Sequence, residues 1–169
     1  MARFAAEQWV PAKLHKVFEF FCDPQNFVVI MPPEIGTRIL QLEKLAPSET
    51  GRLAEAAGKG TRIEFSFRTV PLLPFRMKWL AEVVEFVPYE RFRDIQVRGP
   101  FKTWEHTHGF VAQTRNATEG TLITDEILYT VGLSSLGGMA DETIIRLALA
   151  RTFAHRRRII EKLLAGGNA

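Results

Sequence analysis

Lys102-Thr103-Trp104-Glu105-His106-Thr107-His108-Gly109-Phe110-Val111-Ala112-Gln113 is the stretch on which the reading of this chain turns. As a strand, it sends alternate side chains to opposite faces. Trp104, His106, His108 and Phe110 therefore share a face, with two imidazoles set between two large aromatic rings. Neither a solvent face nor an ordinary core has that composition. It reads as a pocket floor, with a metal site as the lesser alternative.

The following segment supplies a partner. Thr121–Val131 alternates, placing Ile123, Asp125, Ile127, Tyr129 and Val131 on one face with Asp125 as its only charge. A carboxylate on an apolar face needs a partner to offset its desolvation. The polar loop from about Gln113 to Gly120 joins the two strands as a hairpin. A histidine then lies near Asp125 if the two faces coincide.

Further strands extend outward from this hairpin. Thr37–Leu45 is the first, and Thr61–Val70 alternates Ile63, Phe65 and Phe67 against Arg62, Glu64 and Arg68. Arg76–Val87 is apolar on both faces at Trp79-Leu80 and Val83-Val84, so it is covered on both sides or bulged. Arg91–Arg98 carries Asp94 and Gln96 beside Phe92, either as a polar strip inside a cavity or as outer surface. Pro71/Pro74, Pro88, Gly99-Pro100 and Gly120 separate the strands, and such short connections argue an antiparallel meander.

Ahead of the meander, residues 3–10 read as an opening strand ended by Pro11. Leu14, Val17, Phe18 and Phe21 mark an amphipathic helix that stops at Asp23-Pro24. Asp23 also suits the cap of a second short helix burying Phe27, Val28 and Ile30. Asp141–Leu164 is a long closing helix. The order is β-α-α-(β)6-α. A curved sheet must bury one face, and the last helix is the element able to cover it. Such a pairing leaves an elongated cavity.

In that helix, Ile145, Leu149, Thr152, Phe153, Ile160 and Leu163 form an apolar stripe. At ~100° per residue, Arg156 falls near its middle, Arg157 at its edge and Arg158 outside it. Arg156 is expected to point inward, towards Asp94, Glu105 or Asp125. A fixed ion pair is favoured over direct contact with a ligand.

The chain of 169 residues fits one domain, spanning 1–169. Apolar residues are 46% and charged residues 24%, the balance of a globular protein. The net charge of +3 is concentrated at His155-Arg156-Arg157-Arg158, a weak signal for nucleic acid. The single cysteine, Cys22, has no internal partner and reads as a small buried hydrophobe. No signal-peptide run and no ~18-residue apolar run is seen, so the expectation is no membrane span and a cytoplasmic location. There is no phosphate-binding glycine loop, no paired zinc cysteines and no activated nucleophile; Ser48, Ser66, Ser134 and Ser135 lack the context of one. No cofactor is assigned. No clean three-ligand motif is present, so no metal is assigned either, although Asp125 is the third ligand a His-x-His pair could recruit.

The element order and several motifs resemble the START-like superfamily, also called the polyketide cyclase/dehydrase or Bet v 1-like helix-grip fold. The motifs are Phe18-Glu19-Phe20-Phe21-Cys22-Asp23-Pro24, Gly60-Thr61, Gln96-Val97-Arg98-Gly99-Pro100-Phe101, Trp104–Phe110 and Gly120-Thr121-Leu122-Ile123-Thr124-Asp125. They are similar to a bacterial branch of stand-alone cyclase/dehydrase domains, and the likeness covers almost the whole chain. It implies an α+β fold: a curved antiparallel sheet wrapped around a C-terminal helix with an internal cavity. This fold hosts many functions, so function must be argued from the site.

The resulting expectation is a binding protein for a small hydrophobic molecule: polyketide-like, isoprenoid, quinone or lipid. Phe65, Phe67, Trp79, Trp104, Phe110 and Tyr129 would line the cavity. Gln96, His106, His108, Asp125, Phe153 and Arg156 complete the ligand-binding set. One alternative is a cyclase or dehydratase in which His106, His108 and Asp125 are catalytic. Another is a ribosome- or RNA-facing module using Arg151, Arg157, Arg158 and Lys162. The apolar loops Met31–Ile35, Val70–Phe75 and Gly132–Met139 suit a ligand portal or a homodimer contact.

Overall fold

The computed structural model describes residues 1–43, 57–68, 75–132 and 142–165. Its strands are β1 (Ala2–Val10), β2 (Arg38–Glu43), β3 (Arg62–Arg68), β4 (Arg76–Val87), β5 (Arg91–Arg98), β6 (Phe101–Arg115) and β7 (Thr118–Val131). The helices are α1 (Leu14–Cys22), α2 (Pro24–Ile30) and α3 (Glu142–Ala165), with a 3-10 turn at Pro33–Ile35. The strands form one antiparallel sheet in the order β1-β7-β6-β5-β4-β3-β2. From β2 to β7 each strand pairs with the next, and β1 adds to the free edge of β7. This is the expected meander with the opening strand carried across to its last member. No described helix is long and apolar enough to cross a membrane.

Local chemistry sets the boundaries. Asp23 accepts a hydrogen bond from the Gln25 amide at 2.9 Å, and Pro24 occupies the first turn of α2. In β4 the register shifts between Leu80 and Ala81 and again between Val83 and Glu85. The apolar doublets of this strand therefore mark bulges, which bend and twist it. The loop expected at residues 113–120 is instead strand almost throughout. β6 and β7 pair from Arg115↔Thr118 onward, leaving only Asn116 and Ala117 in the turn, at φ 48° and 61°. Positive φ at both positions matches the right-handed twist of a hairpin, and asparagine tolerates it well. Local turn chemistry outweighed the polarity that suggested a longer loop.

The core lies between the inner face of β1, β6 and β7 and the helices. Val10, Val17, Phe18, Phe110, Ile123, Ile160 and Leu164 form one buried cluster. Phe18 is fully enclosed by Phe86, Tyr89 and Phe110, with ring centroids 5.5, 5.2 and 5.3 Å away. Burial of such a side chain contributes about 1.5–3 kcal/mol. Ile160 and Leu164 anchor the C-terminal half of α3. The stripe expected to end at Leu163 ends at Leu164, and Leu163 is exposed. Arg156 and Ile160 set the inward direction, and Leu164, four residues beyond Ile160, continues it. Asp141, Gly166-Gly167 and most of the two later apolar loops lie outside the described residues.

Gly120 holds β1 close to β7. A Cβ there would stand 2.4 Å from Trp9 Cζ2 and 2.5 Å from the Val10 carbonyl oxygen. The Trp9 indole, held in place by its hydrogen bond to the Gln113 carbonyl at 2.9 Å, fills the space a side chain would take.

Candidate functional site

The decisive strand is β6, and its inner face passes through three environments. At one end Trp104 packs edge-on to Trp79 with centroids 4.9 Å apart, and Trp79 stacks on Phe65 at 5.7 Å. Phe67, Phe101 and Tyr129 extend this aromatic block. At the other end Phe110 enters the Phe18 core. His106 and His108 form a polar band between the two, their ring centroids 3.8 Å apart.

Register brings Asp125 into that band. His108 pairs directly with Asp125 across β6 and β7, and His106 is two residues diagonal to it. The histidine and aspartate faces coincide. His106 Nε2 lies 2.9 Å from Asp125 Oδ1. An ionised carboxylate only accepts, so that nitrogen carries the His106 proton. His108 Nδ1 stands equally near the same oxygen, at 2.9 Å, but out of hydrogen-bond alignment, and the contact is electrostatic. His108 Nε2 is 3.5 Å from Asp94 Oδ2. Asp94 on β5 therefore faces inward, resolving the ambiguity of that strand. From the helix side, Arg156 brings Nη2 to 3.9 Å from Asp125 Oδ1. Its guanidinium lies over the Phe153 ring, 4.5 Å from the centroid. Arg156 is only 4% exposed, and its Nε has no hydrogen-bond partner among the described residues.

Burial and mutual charge set the ionisation. Burial lowers the pKa of His106, the nearby His108 lowers it further, and the Asp125 bond offsets this only in part. Burial pushes His108 in the same direction, but Asp125 and Asp94 outweigh it and leave its pKa raised. Burial alone would raise the Asp125 carboxyl. Arg156, His106 and His108 instead hold it well below the usual carboxylate range. Burial lowers the pKa of Arg156, against the pull of Asp125 and Asp94. The band thus contains two imidazoles of opposite tendency around one firmly ionised carboxylate.

A cavity of about 470 Å³ opens beside this band, between β1, β7 and α3. Phe4, Ala6, Ile123, Phe153 and Ile160 give it apolar surface, and Glu7, Asp125, Arg156 and Arg157 supply charge, with Gln8 beside them. Phe4 and Phe153, both in its lining, pack against each other with centroids 5.0 Å apart. Of the residues expected from the sequence, Asp125, Phe153 and Arg156 line this cavity. Phe65, Phe67, Trp79, Trp104 and Tyr129 sit in the aromatic block, and Phe110 in the core. His106 and His108 lie behind Asp125. Gln96 accepts from the Phe101 amide at 3.1 Å and donates to the Phe101 carbonyl at 2.7 Å, so its amide braces the β5–β6 turn. The β1 wall escaped sequence reading. Its only trace is the alternation Phe4-Ala5-Ala6-Glu7-Gln8, in which a small residue at 6 leaves room.

No family model matches the chain, and no curated protein matches it. Solved structures do. The TTHA0849 protein of Thermus thermophilus superposes with a TM-score of 0.66 at 18% identity, covering 99% of this chain and 100% of that one. A START superfamily protein from Mycobacterium smegmatis gives 0.65 at 13% identity, covering 97% of each chain. Major latex-like protein 151 from Panax ginseng gives 0.62 at 15% identity, covering 96% of this chain and 97% of that one. Sheet order, helix placement and these full-length superpositions agree: the chain has the START-like helix-grip fold.

Proposed function

We infer that this chain binds a small, mainly apolar molecule between β1, β7 and α3. The observation that carries this reading is the cavity of about 470 Å³, whose lining joins apolar side chains such as Phe4, Ile123 and Phe153 to charged groups at Glu7, Asp125, Arg156 and Arg157. That volume falls within the ~300–1,000 Å³ common for ligand sites, and the few convergent polar groups fit a site that orients its ligand. Isoprenoid, quinone, polyketide-like and lipid molecules have the required shape and polarity. A ligand that binds only the folded state raises its stability, by about 2.7 kcal/mol at one hundred times its Kd. A thermal-shift panel of such molecules should therefore yield a stabilising member. Ala6→Leu, which fills the cavity from the β1 wall, should remove that shift while the protein stays folded. A stabilising ligand whose effect survives Ala6→Leu unchanged would place the binding site elsewhere.

The 2.9 Å contact between His106 Nε2 and Asp125 Oδ1 favours a second reading, acid–base catalysis of the cyclase or dehydratase type. Asp125 lines the cavity and the histidines do not, so proton transfer to a ligand would pass through Asp125. Turnover lost in His106→Ala with ligand binding retained would support this reading. Binding without chemistry on any member of the panel would leave the carrier function.

A further inference from the structure

Asp94, His106 and His108 stand on the adjacent strands β5 and β6. One ligand-type atom from each lies within 4.8 Å of the others. The cavity function uses Asp125 and Arg156 and leaves this cluster without a role. We propose that Asp94, His106 and His108 bind a divalent transition-metal ion of the zinc, cobalt or iron(II) class, with Asp125 holding the His106 ring by its hydrogen bond and lying against His108.

The donor set comes first. Two imidazoles and a carboxylate suit these borderline ions, whereas calcium and magnesium favour all-oxygen sites. The i, i+2 spacing on β6 puts both rings on one face, 3.8 Å apart. Orientation points the same way. Asp125 Oδ1 lies 2.9 Å from His106 Nε2 and 2.9 Å from His108 Nδ1. The hydrogen bond from His106 Nε2 to Asp125 leaves His106 Nδ1 for an ion, and on His108 Nε2 already faces Asp94 Oδ2 at 3.5 Å. Metal-binding histidines commonly present their second nitrogen to a carboxylate in this way.

Charge favours a cation as well. Asp94 and Asp125 face a single guanidinium, Arg156, whose Nη2 is 3.9 Å from Asp125. The two carboxylates outnumber that guanidinium, so the place between Asp94 and the imidazoles attracts a cation. The side chain of Asp94 is 21% exposed against 9% for His108, so an ion arrives on the Asp94 side. Ligand atoms about 2.0–2.2 Å from a common ion stand closer together than 4.8 Å, so side chains must close by about 1 Å. Three protein ligands leave a coordination position open for water or a ligand oxygen. The sequence pointed to Asp125 as the third ligand. The register moves Asp125 behind the rings and puts Asp94 in that place.

The test is cobalt(II) titration of the untagged, chelator-treated full chain, followed by visible absorption and by elemental analysis after dialysis. The expected result is one ion per chain. Asp94→Asn and His108→Gln should each weaken binding at least tenfold, and Asp125→Asn by about 10–100-fold through loss of ring orientation. Metal-free melting curves show which variants fold. Asp94→Asn, changed at the most exposed ligand, decides the matter if the histidine variants do not fold. No retained cobalt in the wild-type chain overturns the proposal. So does retained cobalt whose affinity is unchanged by Asp94→Asn.

Discussion

Asp125 is where the site's energetics concentrate, because Arg156, His106 and His108 all depend on it. Removing one partner of a buried charge pair typically costs about 3–5 kcal/mol, since the other charge stays buried and unpaired. Asp125→Ala should lose stability on that scale in urea unfolding. Adding Arg156→Met should cost less than the sum of the two single changes, because the second removes the charge that the first strands. The pH dependence follows from the lowered carboxyl. An unfolded aspartate titrates near about 3.9, and Asp125 in the folded chain titrates well below the usual range. Its contribution is full above the unfolded value and lost as pH falls towards the folded one. Between about pH 5 and 3, Asp125→Asn should therefore lose stability less steeply than the wild type. Cys22 gives a second test at this scale. Burial, with Glu19 nearby, pushes its thiol up to about 12. It should stay unreactive to Ellman's reagent at pH 8 in the folded protein and react on unfolding in denaturant.

The strands and helices follow from sequence wherever side-chain alternation decides them. Arg76–Val87 and Arg91–Arg98 agree with observation at both ends. The inward position of Arg156 was legible because helical periodicity places one residue of the basic run within an apolar stripe. Periodicity gives a face, but it does not give the neighbour of that face. The direction of Asp94 and the placement of β1 against β7 depend on sheet order, which no local pattern encodes. The cavity wall on β1 was missed for that reason. The β6–β7 hairpin was expected, but its turn was read as too long because its two central residues are not the usual Asn-Gly. Ala117 sits at φ 61°, a region in which a Cβ costs roughly 1–2 kcal/mol. Ala117→Gly should raise the melting temperature, with a gain of about 0.5–1 kcal/mol. Gly120→Ala should do the reverse. Its Cβ would meet the Val10 carbonyl oxygen at 2.5 Å, and overpacking of this kind costs about 1–3 kcal/mol.

Taken whole, the molecule is a bulged antiparallel sheet with helices over its inner face, and that arrangement separates packing from binding. One end of β6 enters an aromatic block, the other enters the Phe18 core, and the polar band lies between them. The space beside the band opens towards α3 and β1 because Ala6 is small and Arg156 interrupts the apolar stripe. The proposed function requires a ligand seated at that cavity. Native mass spectrometry of the full chain, purified without organic solvent, measures this most directly, with any adduct released and identified. The expected result is a species carrying one small, mainly apolar molecule per chain, absent from Ala6→Leu. A wild-type chain with no such adduct, which also takes up none when incubated with isoprenoid, quinone, polyketide-like and lipid mixtures, would contradict the account.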